Sequence, residues 1–321
     1  MPDPHKEAPI ILLGNVRSGT SMIQSFFGLD ESVCTWFEPR TVWAYADPGR
    51  KHDRFTAQDA TPKVANYIRK RLYNYAEEHQ GRIMEKTPSN ILRAPYVHQI
   101  FPESKLIYLI RHPLSQLSSS EFRWQNVLNK NQLKTRVKET PNSQLHYYAW
   151  RLFHDNFRKR ILKKKHVSIW GVRYPGIYED KKSLTLEQVI AKQWVEGSKT
   201  CRADLDEIDR VSPGTSFRIR YEDFVLDPRN HFAAMCDHVG LNVTQETLDE
   251  VQRRADNSSQ DKWKRLDPKV IEDIRPIVAE EMEANGYEFP EDLPTEEDRQ
   301  EILNRDNLSR GGAGSTQVRP N

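Results

Sequence analysis

The 321-residue sequence contains only three cysteines, and none of them lies in a C-x-x-C pair. This odd number and this spacing argue against a disulfide framework or a zinc site, and they favour a reducing compartment. The sequence also lacks a run of about 18 apolar residues, which a membrane-spanning helix requires. Its first residues, M-P-D-P-H-K-E-A, have no apolar signal-peptide core. We therefore expect a cytoplasmic protein without a membrane span.

The sequence has almost no excess charge of either sign, because 48 Lys and Arg oppose 46 Asp and Glu. This balance does not support a bulk attraction to nucleic acid or to acidic membranes, so we expect no nucleic-acid partner. The ten histidines show no metal-ligand spacing, and we expect no metal. With 37% hydrophobic residues, a chain of this length can bury a substantial core.

Strand-like and helix-like segments alternate along the sequence. The segments predicted as strands are short and apolar or alternating, and they lie at 9–13, 83–85, 105–110 and 216–221. The main predicted helices begin or lie near Thr20, Pro62, Pro113, 143–165, 184–208, Pro228, Thr244 and 268–285. This alternation predicts an α/β fold with a parallel central sheet flanked by helices.

No internal repeat or linker divides the sequence, and we expect one domain over residues 1–287. From residue 288 the chain is charged and poor in apolar residues. Such a composition predicts a mobile or disordered tail over 288–321.

The loop after the first predicted strand has the sequence G-N-V-R-S-G-T-S, residues 14–21. Backbone N–H groups at the start of the following helix would form an anion site, which a cation and several hydroxyls reinforce. The candidate ligands are Arg17, Ser18, Gly19, Thr20 and Ser21. A nucleotide triphosphatase loop, G-x-x-x-x-G-K-[ST], has a lysine where this sequence has Thr20. The loop therefore indicates an anion site without nucleotide hydrolysis, and the alternative is a tight turn with no ligand.

A second cationic site follows the predicted strand at 105–110. Arg111 stands at the carboxyl end of that strand, where open α/β sheets bind ligands. Ser119 lies eight residues later, and Arg123 lies one helical turn beyond Ser119, so both can face one anion. Arginine suits this role because its planar fork makes two parallel bonds to a phosphate. For Arg123 the alternative is a solvated helix face.

These two motifs together resemble the sulfotransferases that use 3′-phosphoadenosine 5′-phosphosulfate (PAPS). In that family a glycine loop after the first strand holds the 5′-phosphosulfate. A later strand ends in an arginine, and that arginine and a serine eight residues further on hold the 3′-phosphate. The stretches G-N-V-R-S-G-T (14–20) and R-H-P-L-S-Q-L-S-S (111–119) match these motifs. The resemblance implies the P-loop-containing sulfotransferase fold, PAPS as co-substrate and no obligatory metal.

Three further stretches extend the resemblance to about residue 287, in the style of the tyrosylprotein-type and bacterial branch. E-K-T-P (85–88) resembles the segment whose lysine lies beside the transferred group, which implicates Lys86. R-Y-E-D-F (220–224) places Tyr221 near the nucleotide. N-S-S-Q-D-K-W-K-R-L (257–266) resembles a late loop that closes over the cofactor. The residues of that loop implicated in cofactor contact are Asn257, Ser258 and Lys262.

The resemblance also implies a general base that takes the proton of the acceptor. W-F-E-P-R-T (36–41) falls where the tyrosylprotein branch carries its glutamate, so we choose Glu38 as the base, with Lys86 and Arg17 as the other catalytic residues. The alternative for Glu38 is an ion pair with Arg40 that only shapes the pocket, and His112 and Glu85 are rival bases. The acceptor, which stays open, would be the hydroxyl or amine of a small molecule, glycan or peptide. A P-loop kinase and an inactive nucleotide-binding module are the competing functions.

Overall fold

A computed structural model describes residues 7–125, 169–255 and 261–311, with side chains described to residue 120 in the first range and to 305 in the last. Within these ranges five parallel strands form one sheet in the order β2-β3-β1-β4-β5. The strands are β1 (Ile10–Leu13), β2 (Val33–Phe37), β3 (Arg82–Lys86), β4 (Leu106–Ile110) and β5 (Ser216–Arg220). The predicted α/β fold with a parallel central sheet is confirmed.

The helices cover both faces of this sheet. They are α1 (Thr20–Phe27), α2 (Arg40–Trp43), α3 (Pro62–Glu78), α4 (Ala94–Ile100), α5 (Pro113–Gln125), α6 (Ile177–Ser183), α7 (Leu186–Val211), α8 (Tyr221–Leu226), α9 (Pro228–Val239), α10 (Gln245–Arg254), α11 (Pro268–Ala284) and α12 (Glu296–Gly311). Short 3₁₀ helices lie at Ala57–Asp59, Pro88–Leu92 and Asp261–Arg265. The helix predicted at 143–165 lies outside the described residues.

Alternate side chains of the buried strands separate the core into two clusters, one on each face of the sheet. Ile11 and Leu13 of β1 pack with α3, α4, α5, α7 and α11, while Ile10 and Leu12 pack with α1, α8, α9 and α10. All four side chains are fully buried. Each contributes about 1.5–3 kcal/mol of hydrophobic free energy. Burial on both faces explains the unbroken apolar run of this strand.

The start of α3 shows how local sequence sets an element boundary. Thr61 is the N-cap, and its side chain accepts a hydrogen bond from the Val64 N–H at 3.4 Å. Pro62 occupies the first helical position, where its fixed φ is preorganised and no N–H is needed. The predicted start is therefore confirmed.

Helix α12 lies in the segment for which the sequence predicts mobility, and its Ile302 is buried. The single-domain boundary at 287 and the mobility of the tail stay predictions. Within the described ranges, no helix combines the length and the apolar character that crossing a membrane requires. The described residues also contain no group of three or more His, Cys, Asp or Glu side chains that could hold a metal ion.

Candidate active site

The carboxyl ends of all five strands deliver residues to one edge of the sheet. β1 leads into the loop at Gly14, β2 into Glu38 and β4 into Arg111. β3 ends at Lys86, and β5 is followed by Tyr221. The chain passes from β1 to β2 and β3 on one side and to β4 and β5 on the other. This is the switch point at which open α/β sheets bind ligands.

Two glycines let the loop after β1 lie close to its neighbours. A Cβ on Gly14 would stand 2.6 Å from Cγ2 of Thr20 and 2.8 Å from the carbonyl oxygen of Leu109. Gly19 has a φ of 92°, and a Cβ there would strike the ring of Tyr221. The first N–H groups of α1, which begins at Thr20, have no partner inside the helix and lie where an anion can accept from them.

Arg17 connects this loop to the second predicted motif. Its Nε donates to Oγ of Ser119 at 2.7 Å, and its carbonyl oxygen accepts from Nη1 of Arg111 at 3.2 Å. The guanidinium of Arg111 stacks 4.3 Å from the centroid of the Tyr221 ring. Arg17 is exposed and Arg111 is buried. Residues about a hundred positions apart in the sequence thus form one cationic group.

Lys86 is the centre of a second group. Only 2% of it is exposed, and its ammonium lies 2.9 Å from Oε1 of Glu38 and 3.3 Å from Oγ of Ser21. The other oxygen of Glu38 accepts from Nη2 of Arg40 at 2.7 Å. Glu38 therefore forms the ion pair with Arg40 that the alternative interpretation predicts. It also contacts Lys86, as a general base beside the transferred group would. The ring of Phe37 lies 5.2 Å from the Lys86 ammonium.

The charge state of Glu38 follows from these contacts. Burial acts to raise its pKa, but the charges of Arg40 and Lys86 and their hydrogen bonds outweigh burial and hold the pKa below its ordinary value. Glu38 is therefore ionised at neutral pH. Its φ of 47° places the backbone in the left-handed region, which is unusual for a glutamate.

The two rival bases lie in different surroundings. Glu85 is fully buried, and its carboxylate accepts hydrogen bonds from Thr87 and Asn90. His112 packs edge-on against Tyr287 and lines a cavity of ≈ 410 Å³. Glu38 is the carboxylate that touches Lys86, and this geometry favours it over both rivals.

The late 3₁₀ helix Asp261–Arg265 packs on α5. The Ser118 hydroxyl donates to the carbonyl oxygen of Lys262 at 2.8 Å and accepts from Nε of Arg265 at 2.8 Å. This places Lys262 beside the helix that carries Ser119. The sequence did not predict Ser118 or Arg265, because nothing in the local pattern pairs residues 147 positions apart.

Comparison with known proteins shows the family of this chain. A model of the sulfotransferase family matches residues 9–183, which is more than half of the chain. The chain belongs to the sulfotransferase family. The sulfotransferase domain from the curacin biosynthetic pathway has a similar fold, with a TM-score of 0.51 and 15% identity over 88% of this chain and 99% of that one. No curated protein matches.

Two further solved structures match with lower TM-scores. A sulfotransferase from Alicyclobacillus acidocaldarius gives a TM-score of 0.47 and 14% identity over 88% of this chain and 97% of that one. A mouse sulfotransferase complexed with PAP gives a TM-score of 0.45 and 11% identity over 94% of this chain and 90% of that one.

In this sulfotransferase the predicted residues form two neighbouring groups at one sheet edge. One group joins Arg17, Ser119 and Arg111, and the other joins Ser21, Lys86 and Glu38. Tyr221 lies against the first group. Ser18 is buried in the loop, where its hydroxyl donates to the carbonyl oxygen of Asn15 at 2.7 Å. The remaining predictions lie outside what the structure describes: the side chain of Arg123, Asn257 and Ser258.

Proposed function

We propose that this sulfotransferase transfers the sulfuryl group of PAPS to a hydroxyl, or less readily an amine, of a small-molecule, glycan or peptide acceptor. The observation that carries the proposal is the position of the Lys86 ammonium, which contacts both the glycine loop at Ser21 and the carboxylate of Glu38. A cation that can stabilise a sulfuryl oxygen and a carboxylate that can accept a proton are thereby adjacent. In-line group transfer needs these two functions side by side.

The residues of the cationic group suit the two anionic ends of PAPS. The loop, with the N–H groups of α1 and with Arg17, suits the 5′-phosphosulfate, because it presents donors and contains no carboxylate. Arg111 and Ser119 suit the 3′-phosphate, and the ring of Tyr221 packs against the Arg111 guanidinium. A Cβ at Gly19 would strike Tyr221, so the glycine keeps the loop and this contact together.

PAPS, when bound, supplies the activated sulfuryl group. In the proposed step a bond forms between the acceptor oxygen and sulfur, while the bond between sulfur and the 5′-phosphate oxygen breaks. Glu38 takes the acceptor proton, and Lys86, Arg17 and the loop N–H groups stabilise the negative charge on the departing oxygen. As that charge engages Lys86, the hold of Lys86 on Glu38 weakens, and Glu38 becomes a stronger base.

Ligand-dependent stability tests the donor. Adenosine 3′,5′-bisphosphate (PAP) at about 100 times its dissociation constant should stabilise the folded protein by about 2.7 kcal/mol. Thermal unfolding is measured with PAP and separately with ATP and Mg²⁺, and Arg111→Ala serves as the variant in which PAP should stabilise the fold less than in wild type. Stabilisation by ATP and Mg²⁺ alone would favour the P-loop kinase, although such a kinase would carry a lysine where this chain has Thr20.

Transfer of labelled sulfate from PAPS to a broad panel of hydroxyl and amine acceptors tests the reaction. Transfer that depends on Lys86 supports the proposal. Binding of PAP without transfer to any acceptor would favour the inactive nucleotide-binding module instead.

A further inference from the structure

Glu85 is a buried ionisable group that the proposed transfer does not use. It directly precedes Lys86 in β3, a strand paired on both sides, and its register partners are Ile11 of β1 and Trp36 of β2. None of its surface is exposed. An acceptor therefore has no access to this carboxylate, so its place beside Lys86 calls for another explanation.

Both oxygens of the Glu85 carboxylate bind the segment that follows Lys86. The Thr87 hydroxyl donates to Oε1 at 2.5 Å, and the Asn90 amide donates to Oε2 at 2.9 Å. Thr87 is the residue before the 3₁₀ helix Pro88–Leu92, and Asn90 lies inside that helix. The Glu85 side chain therefore binds residues 87–90, the turn after Lys86, at two points. The strand itself is held by the pairing of Lys86 with Phe37.

We propose that Glu85 is a positioning residue for sulfuryl transfer: its carboxylate holds the turn through Thr87 and Asn90 and so places the Lys86 ammonium between Ser21 and Glu38. This inference rests on the proposed function. It assigns the rival base of the sequence analysis to a different role.

The ionisation of Glu85 links this role to pH. Burial raises its pKa to about 7 from an ordinary value of 4.5, against the hydrogen bonds from Thr87 and Trp43 and the charges of Lys86 and Arg93. Lys86 and Arg93 are the charged groups that act on it, and its strand partners are uncharged. The ionised carboxylate accepts both bonds, whereas a proton on one oxygen removes an acceptor. At pH 6 about a tenth of Glu85 would be ionised, so kcat should be about tenfold below its plateau.

The raised pKa of Glu85 affects stability in the opposite direction from kcat, because lower pH favours stability and disfavours turnover. Because the pKa is higher in the folded than in the unfolded protein, the folded protein binds more protons between about pH 4.5 and 7. The contribution of Glu85 to stability is therefore full below pH 4.5 and is lost as the pH rises through about 7. Glu38, with its lowered pKa, stays ionised through this range.

Glu85→Gln is the decisive variant, because it keeps the shape of the side chain and removes the ionisation. Like a protonated carboxyl, the Gln amide has one acceptor oxygen, so this variant should behave at every pH as wild type does at low pH. We expect kcat to be about tenfold below the wild-type plateau at pH 8, with no inflection near pH 7. Glu281→Gln is the matched control, since Glu281 is also a buried glutamate, 3% exposed, but pairs with Arg202 on α7. It should keep the wild-type profile.

Glu85→Ala removes both acceptors. A displacement of the reacting groups by about 1 Å can lower turnover about 100-fold, so we expect a loss of about 10- to 100-fold in kcat. The affinity for PAP should fall much less than kcat, because the glycine loop, Arg111 and Ser119, which hold both phosphates in the proposed function, do not depend on Glu85. The stability of Glu85→Gln between about pH 4.5 and 7 should also depend less on pH than that of wild type.

The outcomes separate the inference from the function on which it rests. A wild-type pH inflection that persists in Glu85→Gln overturns the positioning role, and so does full kcat in Glu85→Ala. If Glu85→Ala does not fold, the profile of Glu85→Gln decides. A wild-type protein that transfers no sulfate from PAPS contradicts the proposed function and the positioning role with it.

Discussion

Replacement of Gly19 by alanine should destabilise the glycine loop in two separable ways. The φ of 92° lies in the left-handed region, which is about 1–2 kcal/mol less favourable for a residue with a Cβ. The new Cβ would also lie 2.6 Å from Cε2 of Tyr221, and such overpacking typically costs about 1–3 kcal/mol. We expect a total loss of about 2–5 kcal/mol in the free energy of unfolding. Because Tyr221 supports Arg111, PAP should also bind more weakly.

Gly176 provides a matched control for this prediction. It is likewise the N-cap of a helix, its φ is 91°, and a Cβ there meets nothing within 4 Å. Gly176→Ala should therefore show the backbone effect alone, about 1–2 kcal/mol. Urea unfolding of both variants should differ by about 1–3 kcal/mol, and PAP should stabilise Gly176→Ala as it stabilises wild type. Equal losses in the two variants, with equal responses to PAP, would refute the argument from Tyr221.

Three further substitutions test individual roles at the site. Glu38→Gln should lower kcat by about 10²- to 10⁴-fold and leave PAP affinity intact, since general-base catalysis contributes in this range; full turnover in initial-rate assays would show that another group is the base. Arg111→Ala should weaken PAP binding by about 10- to 100-fold in calorimetry, because a hydrogen bond to a charged group is worth about 1.5–3 kcal/mol, and unchanged affinity would place the 3′-phosphate elsewhere. Phe37 is 57% exposed, and its ring stands 5.2 Å from Lys86, so Phe37→Ala should raise the KM of the acceptor and not the Kd of PAP. Leu226→Ala, at a residue 76% exposed, is the control, and equal acceptor KM values in the two variants would argue against a role for Phe37.

The sequence predicted the elements whose signals are local. β1 and β4 are unbroken apolar runs, and the starts of α1, α3 and α5 are marked by glycine, a Thr-Pro pair and proline. β2 was missed, because it is a five-residue edge strand with a partly exposed Thr35 and an exposed Phe37. Its apolar pattern is therefore too short and too mixed to distinguish it from a loop.

The site was predicted as a set of residues but not as a network. Loop and strand motifs identified Arg17 and Ser119 separately, whereas their hydrogen bond joins residues 102 positions apart. Only the strand order brings such residues together, and a single sequence does not encode that order in any local pattern. The choice of Glu38 came from family resemblance. The role of Glu85 became visible only when its burial and its two bonds were known.

Backbone strain gives an independent reason to place the function at this edge of the sheet. Three non-glycine residues in the described part of the chain have a positive φ, namely Arg17, Glu38 and Gln80. Gln80 lies just beyond the end of α3, where a left-handed residue is a common helix stop. The other two, Arg17 and Glu38, both take part in the proposed reaction. A left-handed backbone conformation costs about 1–3 kcal/mol at each of them. Each is held by a residue of another element, Arg17 by Ser119 and Glu38 by Lys86. Because backbone strain of this kind clusters at active sites, strain at these two positions supports the proposed site.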